Sequence, residues 1–184
     1  MSFSTKDLRS AISAGGGPIH TNRWDITLPS ISGANPGGGT TDGGGNNKAV
    51  QRLCTAVRLP GKSLTTLDRQ IGLEPIKVGS GYTYAPVSMT FYLTNDYSAR
   101  QYWQAWMDMI VNPRPPYSAG FHSEYAQPIT IKQLDKENKP KYEIKLLKAY
   151  PTDIAEIEFN NQAVSAIGEV TVTVGFSHYE ATKL

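Results

Sequence analysis

The hydrophobic period of this chain changes abruptly between Leu93 and Tyr97, and that change narrows the fold more than any other feature. Upstream, VSMTFYL sets Val87, Met89, Phe91 and Leu93 on one side and Ser88, Thr90 and Tyr92 on the other, the period of a half-buried strand. Downstream, between Tyr97 and Val111, the residues Ala99, Tyr102, Trp103, Trp106 and Ile110 recur at three- and four-residue spacing and form one apolar helical stripe. Asn95 or Asp96 is placed to cap this helix, and Asn112-Pro113 stops it. The five stripe residues are the expected helix core, packed against a sheet. Trp103 and Trp106 read as packing residues, not as a stacking platform for a ligand.

Strand patterns dominate the remainder. RWDITLP alternates Trp24, Ile26 and Leu28 with Asp25 and Thr27; AVQRLCTAVRLP sets Leu53, Thr55 and Val57 on one face and ends at Pro60-Gly61. Residues 61–86 scatter Leu64, Leu67, Ile71, Ile76 and Val78 among Gly72, Pro75, Gly79 and Gly81, and read as a long, partly extended excursion. PITIKQL (128–134) and KYEIKLLKAY (141–150) flank a turn-forming DKENKP, and DIAEIEFN (153–160) pairs with EVTVTVGFSHYE (169–180) around NQAVSAIG. About seven strands and one helix make an α+β protein, mainly antiparallel β. Residues 1–19 are expected to be a flexible N-terminal arm and 20–184 a single domain. Within it the glycine-rich segment 33–47 has too little apolar surface to offset ordering and should be a mobile loop.

Composition removes several functions. A chain of 184 residues is one ordinary domain, and 39% hydrophobic residues suffice for a core. Eighteen Lys and Arg against sixteen Asp and Glu give a net charge of +2, too weak for an electrostatic grip on nucleic acid. The longest uncharged stretch, 78–95, is broken by Gly, Ser, Thr and Pro, so no membrane-spanning segment is expected, and residues 1–17 lack the apolar run of a secretory leader. The single cysteine, Cys54, cannot close an internal disulfide and reads as a small buried hydrophobe in a reducing compartment.

No catalytic constellation survives inspection. Residues 56–63, AVRLPGKS, satisfy a permissive phosphate-loop pattern, but Pro60 removes a backbone donor and SLTTLDRQIGLEP has no helical stripe for the lysine to open. His20, His122 and His178 lie far apart with no metal-ligand spacing. Asp153, Glu156 and Glu158 read as a polar, solvated sheet surface, and there is no G-x-S-x-G elbow. Neither an enzyme nor a cofactor is expected. Tyr82, Tyr84, Tyr117 and Tyr125 fall beside Pro and Gly in loop-like regions, a first hint of an interaction surface.

The succession of elements completes the reading. A strand through LCTAVRLPG, a long excursion, YAPVSMTFYLTND running into YSARQYWQAWMDMI, then YEIKLLKAYPTDIAEIEFNN and EVTVTVGFSHYE, resembles the inner tail tube proteins of contractile-tailed bacteriophages over about residues 20–180. The glycine-rich insertion at 33–47 and PRPPYSAGFHSEY at 113–125 depart from that pattern. The resemblance implies a β-sandwich or half-barrel with one flanking helix at about 97–111. It would complete a multi-subunit β-barrel in stacked hexameric rings, inside a sheath and between baseplate and terminator proteins. DNA would pass through the lumen without sequence-specific binding, in a virion tail assembled in the host cytoplasm. With ~24 strands at ~4.8 Å and ~40° tilt, such a barrel has a radius of about 25 Å and an open centre.

Carried onto this chain, the resemblance makes Pro60, Gly61, Lys62, Asp68 and Arg69 candidates for the contact between rings, and Glu156 and Glu158 candidates for the lumen. Other readings remain: a terminator or baseplate tube initiator of the same fold, the tube of a secretion or bacteriocin-type contractile system, or a monomeric carbohydrate-binding β-sandwich.

Overall fold

The computed structural model describes residues 4–14, 17–31, 47–71, 74–115, 117–160 and 167–184. Helix α1 (Thr5–Ala14) comes first, followed by β1 (Trp24–Thr27), α2 (Asn47–Arg52) and β2 (Cys54–Val57). Next are β3 (Lys62–Ile71), β4 (Glu74–Tyr84), β5 (Val87–Tyr92), α3 (Ser98–Ile110) and α4 (His122–Tyr125). The chain closes with β6 (Gln127–Leu134), β7 (Pro140–Ile154), β8 (Glu169–Gly175) and β9 (His178–Lys183).

All named strand pairs are antiparallel, and β7 belongs to two sheets. It pairs with β6 between Pro140 and Ala149 and with β9 over residues 142–147, and its residues 150–154 pair with β8. Between the two halves Lys148 sits in the left-handed region (φ 53), which breaks the pleat and turns the strand from one layer to the other. The layers are an N-terminal sheet, β1-β6-β7-β9, and an arm sheet, β2-β5-β8-β7. This is the α+β sandwich with a flanking helix that the sequence implies.

The core fills the space between the sheets. β5 contributes Val87, Met89 and Phe91, β8 contributes Val170, Val172 and Val174, and the N-terminal sheet contributes Ile26, Ile129, Ile131, Ile144 and Leu146. Each such side chain stabilises the fold by about 1.5–3 kcal/mol. Four stripe residues of α3, Ala99, Tyr102, Trp103 and Trp106, are fully buried, and Ile110 at the helix end is half-buried. Tyr102 Oη donates to the Pro29 carbonyl (2.7 Å) and Trp106 Nε1 to the Tyr125 carbonyl (2.9 Å). Trp103 stacks on Trp106 with centroids 5.5 Å apart and planes 8° off parallel.

The structure corrects several local expectations. Residues 47–52 form a helix, because one turn there buries Val50 against the core while leaving Lys48 and Arg52 in solvent. Neither Asn95 nor Asp96 occupies the cap position of α3; Tyr97 does, in the left-handed region and without a side-chain cap bond. Asp96 instead accepts from the Thr94 hydroxyl and the Ser98 N–H, and the Thr94 bond holds its carboxyl below the usual range. The segment 153–160 is not a separate strand: residues 153–154 finish β7, and 155–160 run on irregularly. EVTVTVGFSHYE divides at Phe176-Ser177, where the chain crosses between sheets. The expected loop at 33–47 lies outside the described residues, except that Asn47 opens α2.

The segment after α3 folds back along the helix end. Gly120 N–H donates to the Ile110 carbonyl (2.9 Å), and Val111 bridges Ala119. A Cβ at Gly120 would lie 2.6 Å from the Met109 carbonyl oxygen, which is fixed backbone. Gly120→Ala should therefore destabilise the subunit by about 1–3 kcal/mol, the usual cost of overpacking. Chemical denaturation should show a lower midpoint at an unchanged slope.

Candidate functional site

Residues 61–86, expected as a long, partly extended excursion, carry a two-stranded arm. Its strands β3 and β4 have 10 and 11 residues and pair with each other along their whole length, and with no other strand among the described residues. The polar and β-branched content of KSLTTLDRQI suits a strand. The arm leaves the arm sheet between β2 and β5, through connections carrying Pro60 and Pro86.

The register divides the arm into two parts. Lys62 pairs with Tyr84 and Leu64 with Tyr82, so these four side chains share one face near the root. Between Thr65 and Thr66 the register slips by one residue, with Ser80 the extra one. Beyond the slip, Leu67 pairs with Val78 and Arg69 with Ile76, on the opposite face. Leu67, Ile76 and Val78 are 61%, 50% and 44% exposed, an apolar strip that the subunit itself leaves uncovered.

The root is packed. The Tyr84 ring lies 5.6 Å from Phe176 and 5.2 Å from Tyr179, and Tyr82 lies 5.2 Å from Tyr84. Lys62 Nζ sits 4.5 Å from the Tyr82 ring centroid and 6.0 Å from that of Tyr84. Tyr82 and Tyr84, read from sequence as loop tyrosines, are strand residues of this cluster. Burial raises the Tyr84 hydroxyl pKa.

The five candidate ring-contact residues fall on the arm or its root. Pro60 and Gly61 lie in the incoming connection, where the Gly61 carbonyl accepts from Ala85 N–H (3.0 Å), and Lys62 opens β3. Lys62 therefore begins a strand, not the helix a phosphate loop requires. Asp68 and Arg69 lie on opposite faces of the distal half. Glu156 and Glu158 are exposed on the run beyond β7, while Ile154 and Ile157 pack against the core. Sequence reasoning missed Leu67, Ile76 and Val78 as a group, and Phe176 and Tyr179 as the arm's support. The period-two pair Ile76 and Val78 was the available signal.

The arm sheet has two further features. Its edges, β2 and the second half of β7, each pair on one side only among the described residues. Arg52 and Arg58 flank the first edge; Asp153, Glu156 and Glu158 follow the second, with no Lys or Arg between Lys148 and Lys183. Its outer face carries Ser88, Thr90, Thr171 and Thr173, with Thr90 and Thr171 hydroxyls 3.3 Å apart. The outer face of the N-terminal sheet instead mixes charges, with Lys132 and Glu143 3.5 Å apart.

The remaining chemistry-bearing residues do not converge. Among the described residues no group of His, Cys, Asp and Glu could hold a metal, and no helix is long and apolar enough to cross a membrane. His122 packs edge-on against Tyr125 and Tyr150, and Tyr117 is exposed. Cys54 is half-buried on β2, and burial pushes its thiol up to about 12. Because the thiolate is the reactive form, alkylation at pH 8.5 should be slow on the folded subunit and at least tenfold faster in denaturant, as read by mass spectrometry.

Residues 20–182 match the family described as phage tail tube protein. No curated protein matches the chain. Among solved structures, it is similar to a chain of the anti-feeding prophage tube-terminating cap, with 12% identity over 91% of this chain and 92% of that one and a TM-score of 0.61. It is also similar to a chain of the PVC extracellular contractile injection system, in its extended sheath–tube complex, with 14% identity over 100% of both chains and a TM-score of 0.59. A third likeness, to a chain of the PVC sheath/tube terminator, has 11% identity over 90% of this chain and 96% of that one and a TM-score of 0.59. These likenesses share the two-sheet fold, and the sequence match spans every strand but the last residue of β9. The chain belongs to the phage tail tube protein family.

Proposed function

We propose that this protein is the structural subunit of a contractile tail's inner tube, without catalytic activity, in which hexameric rings stack around a channel that conducts DNA. The observation that carries this reading is the arm. Twenty-odd residues of paired strand expose an apolar strip, Leu67, Ile76 and Val78, at no benefit to the subunit's own core. A strip of this kind has its use in an interface. The arm, with Pro60, Gly61, Lys62, Asp68 and Arg69, makes the contact between rings.

Within a ring, the edges of the arm sheet join. The β2 edge flanked by Arg52 and Arg58 meets the edge bearing Asp153, Glu156 and Glu158 of a second copy, so the sheet continues from subunit to subunit. That closure removes the unpaired edges a lone sandwich would expose. The hydroxyl-rich outer face then walls the channel, with Glu156 and Glu158 adding negative charge. A wall with few cations lets a polyanion slide without being held. The N-terminal sheet and α3 lie outward, toward a sheath, and baseplate and terminator proteins close the ends. The subunit is a virion component assembled in the host cytoplasm.

Negative-stain electron microscopy over a concentration series tests this. Rings or hollow stacks are the expected result, weakened as ionic strength rises because the edge charges are exposed. A protein that stays monomeric even when offered baseplates or tube ends would overturn the reading. The likeness to terminating-cap structures keeps a second reading in view: a terminator would add to a tube end once and stop growth.

A further inference from the structure

Among the described residues the arm pairs with no strand of the body, so no backbone ladder there sets its direction. Its root is held by two other devices. The connections at 58–61 and 85–86 each carry a proline, whose ring fixes φ and stiffens the hinge. Beside them, Tyr84 of the arm packs on Phe176 and Tyr179 of the body, rings that flank the corner where the chain passes from the arm sheet to the N-terminal sheet. Phe176 and Tyr179 also touch each other, at 6.3 Å between centroids. Tyr82 extends the cluster outward and Lys62 covers it with its ammonium group.

We infer that this ring cluster is a positioning lock, which fixes the projection of the arm in the unassembled subunit and so sets how readily subunits add to one another. The inference rests on the proposed docking of the arm on a second copy. Leu67 lies five residues beyond Lys62, a lever of about 17 Å at ~3.3 Å per residue. A swing of roughly 20° at the root would carry the distal strip about 6 Å sideways, farther than an apolar contact tolerates. An arm free to swing would lose that freedom on docking, and a locked arm has already lost it. The register slip at Ser80 fits this division of labour: it puts Tyr84 on the face that meets Phe176 and Tyr179 of the body, and Leu67, Ile76 and Val78 on the opposite one. The packing is confined to Tyr84, which is half-buried, while Leu64 and Tyr82 on its own face and Leu67 and Val78 on the other are exposed.

Spin labels at Asp68→Cys on the arm and Ser123→Cys on the body, in a Cys54→Ala background, report the arm's direction directly in the unassembled subunit. The parent and Tyr84→Phe, which keeps the ring, should give one narrow distance distribution. Tyr84→Ala with Tyr179→Ala should at least double its width and raise the concentration needed for assembly about tenfold, measured at a temperature where circular dichroism shows the variant folded. If that double variant does not fold, Tyr84→Ala alone serves, because its side chain belongs to the arm. A distribution as narrow as the parent's, or a broad one with unchanged assembly, would overturn the lock. Leu67→Asp with Val78→Asp separates the two readings. If this distal pair blocks assembly while the ring variants assemble normally, only the lock fails; if the distal pair assembles normally, the docking of the arm itself fails.

Discussion

Aspartate at both Leu67 and Val78 is expected to abolish tube assembly and leave a subunit that folds normally. The two residues face each other across the arm, more than two-fifths exposed, and neither joins the core between the sheets. Their replacement therefore removes nothing the monomer depends on, and surface changes of this kind usually alter stability by no more than ~0.5 kcal/mol. At an interface the same change is severe. Fully burying an exposed apolar side chain contributes about 1.5–3 kcal/mol, and these two have about half of their surface left to cover, so the pair is worth ~1.5–3 kcal/mol. At about 1.4 kcal/mol per tenfold, that alone weakens each contact by roughly 10- to 10²-fold, before the cost of desolvating two carboxylates. Deleting residues 64–80 is the coarser form of the experiment and should give the same result: a folded subunit that cannot stack. Melting curves establish the fold, and electron microscopy with sedimentation establishes the assembly. Tubes of normal length from either variant would sink the assignment of the arm.

The body of this fold was legible in the sequence because its signals are local. Val87, Met89 and Phe91 alternate into the core, and Ala99, Tyr102, Trp103 and Trp106 lie on the stripe, where their spacing puts them. The arm was not legible as an arm for a physical reason. Alternation marks a strand that buries one face in its own chain, whereas the apolar face of β3 and β4 changes sides at Ser80 and its distal part, Leu67, Ile76 and Val78, stays exposed. Its residues consequently look scattered. Sheet order was also beyond local reading. The double membership of β7 depends on pairings with strands on both sides in sequence and on a single left-handed residue, Lys148, which is not a residue type that announces that conformation. The aromatic support of the arm was hidden likewise: Phe176 and Tyr179 lie some ninety residues from Tyr84, and only the crossing of β8 into β9 brings them to it. The candidate contact residues Pro60, Gly61 and Lys62 were found because prolines, glycines and lysines punctuate the end of a strand; what they punctuate emerged only in three dimensions.

Trp106→Ala is expected to produce the largest loss of stability of any single truncation in the helix stripe. The indole is fully buried, stacks on Trp103, meets Tyr102 edge-on at 6.0 Å, and holds the Tyr125 carbonyl through Nε1. Truncation leaves a cavity at the centre of the helix–sheet interface, and large aromatic deletions of this kind cost about 3–5 kcal/mol. It also removes the donor that ties α4 to α3, leaving a carbonyl at the helix end without that partner. For a domain with ~5–15 kcal/mol in hand, such a loss is a substantial fraction, and at roughly 2–4 °C per kcal/mol the melting temperature should fall by about 6–20 °C. Two controls separate the contributions. Trp106→Phe keeps most of the apolar area and loses the hydrogen bond, so it should cost about 1–3 kcal/mol. Ile110→Ala, half-buried on the same stripe, should cost less than Trp106→Ala because its site opens to solvent and can collapse. A melting curve unchanged by Trp106→Ala would mean that the stripe does not anchor the helix. An unfolded variant would instead make the stripe the element on which both sheets, and therefore the arm they carry, depend.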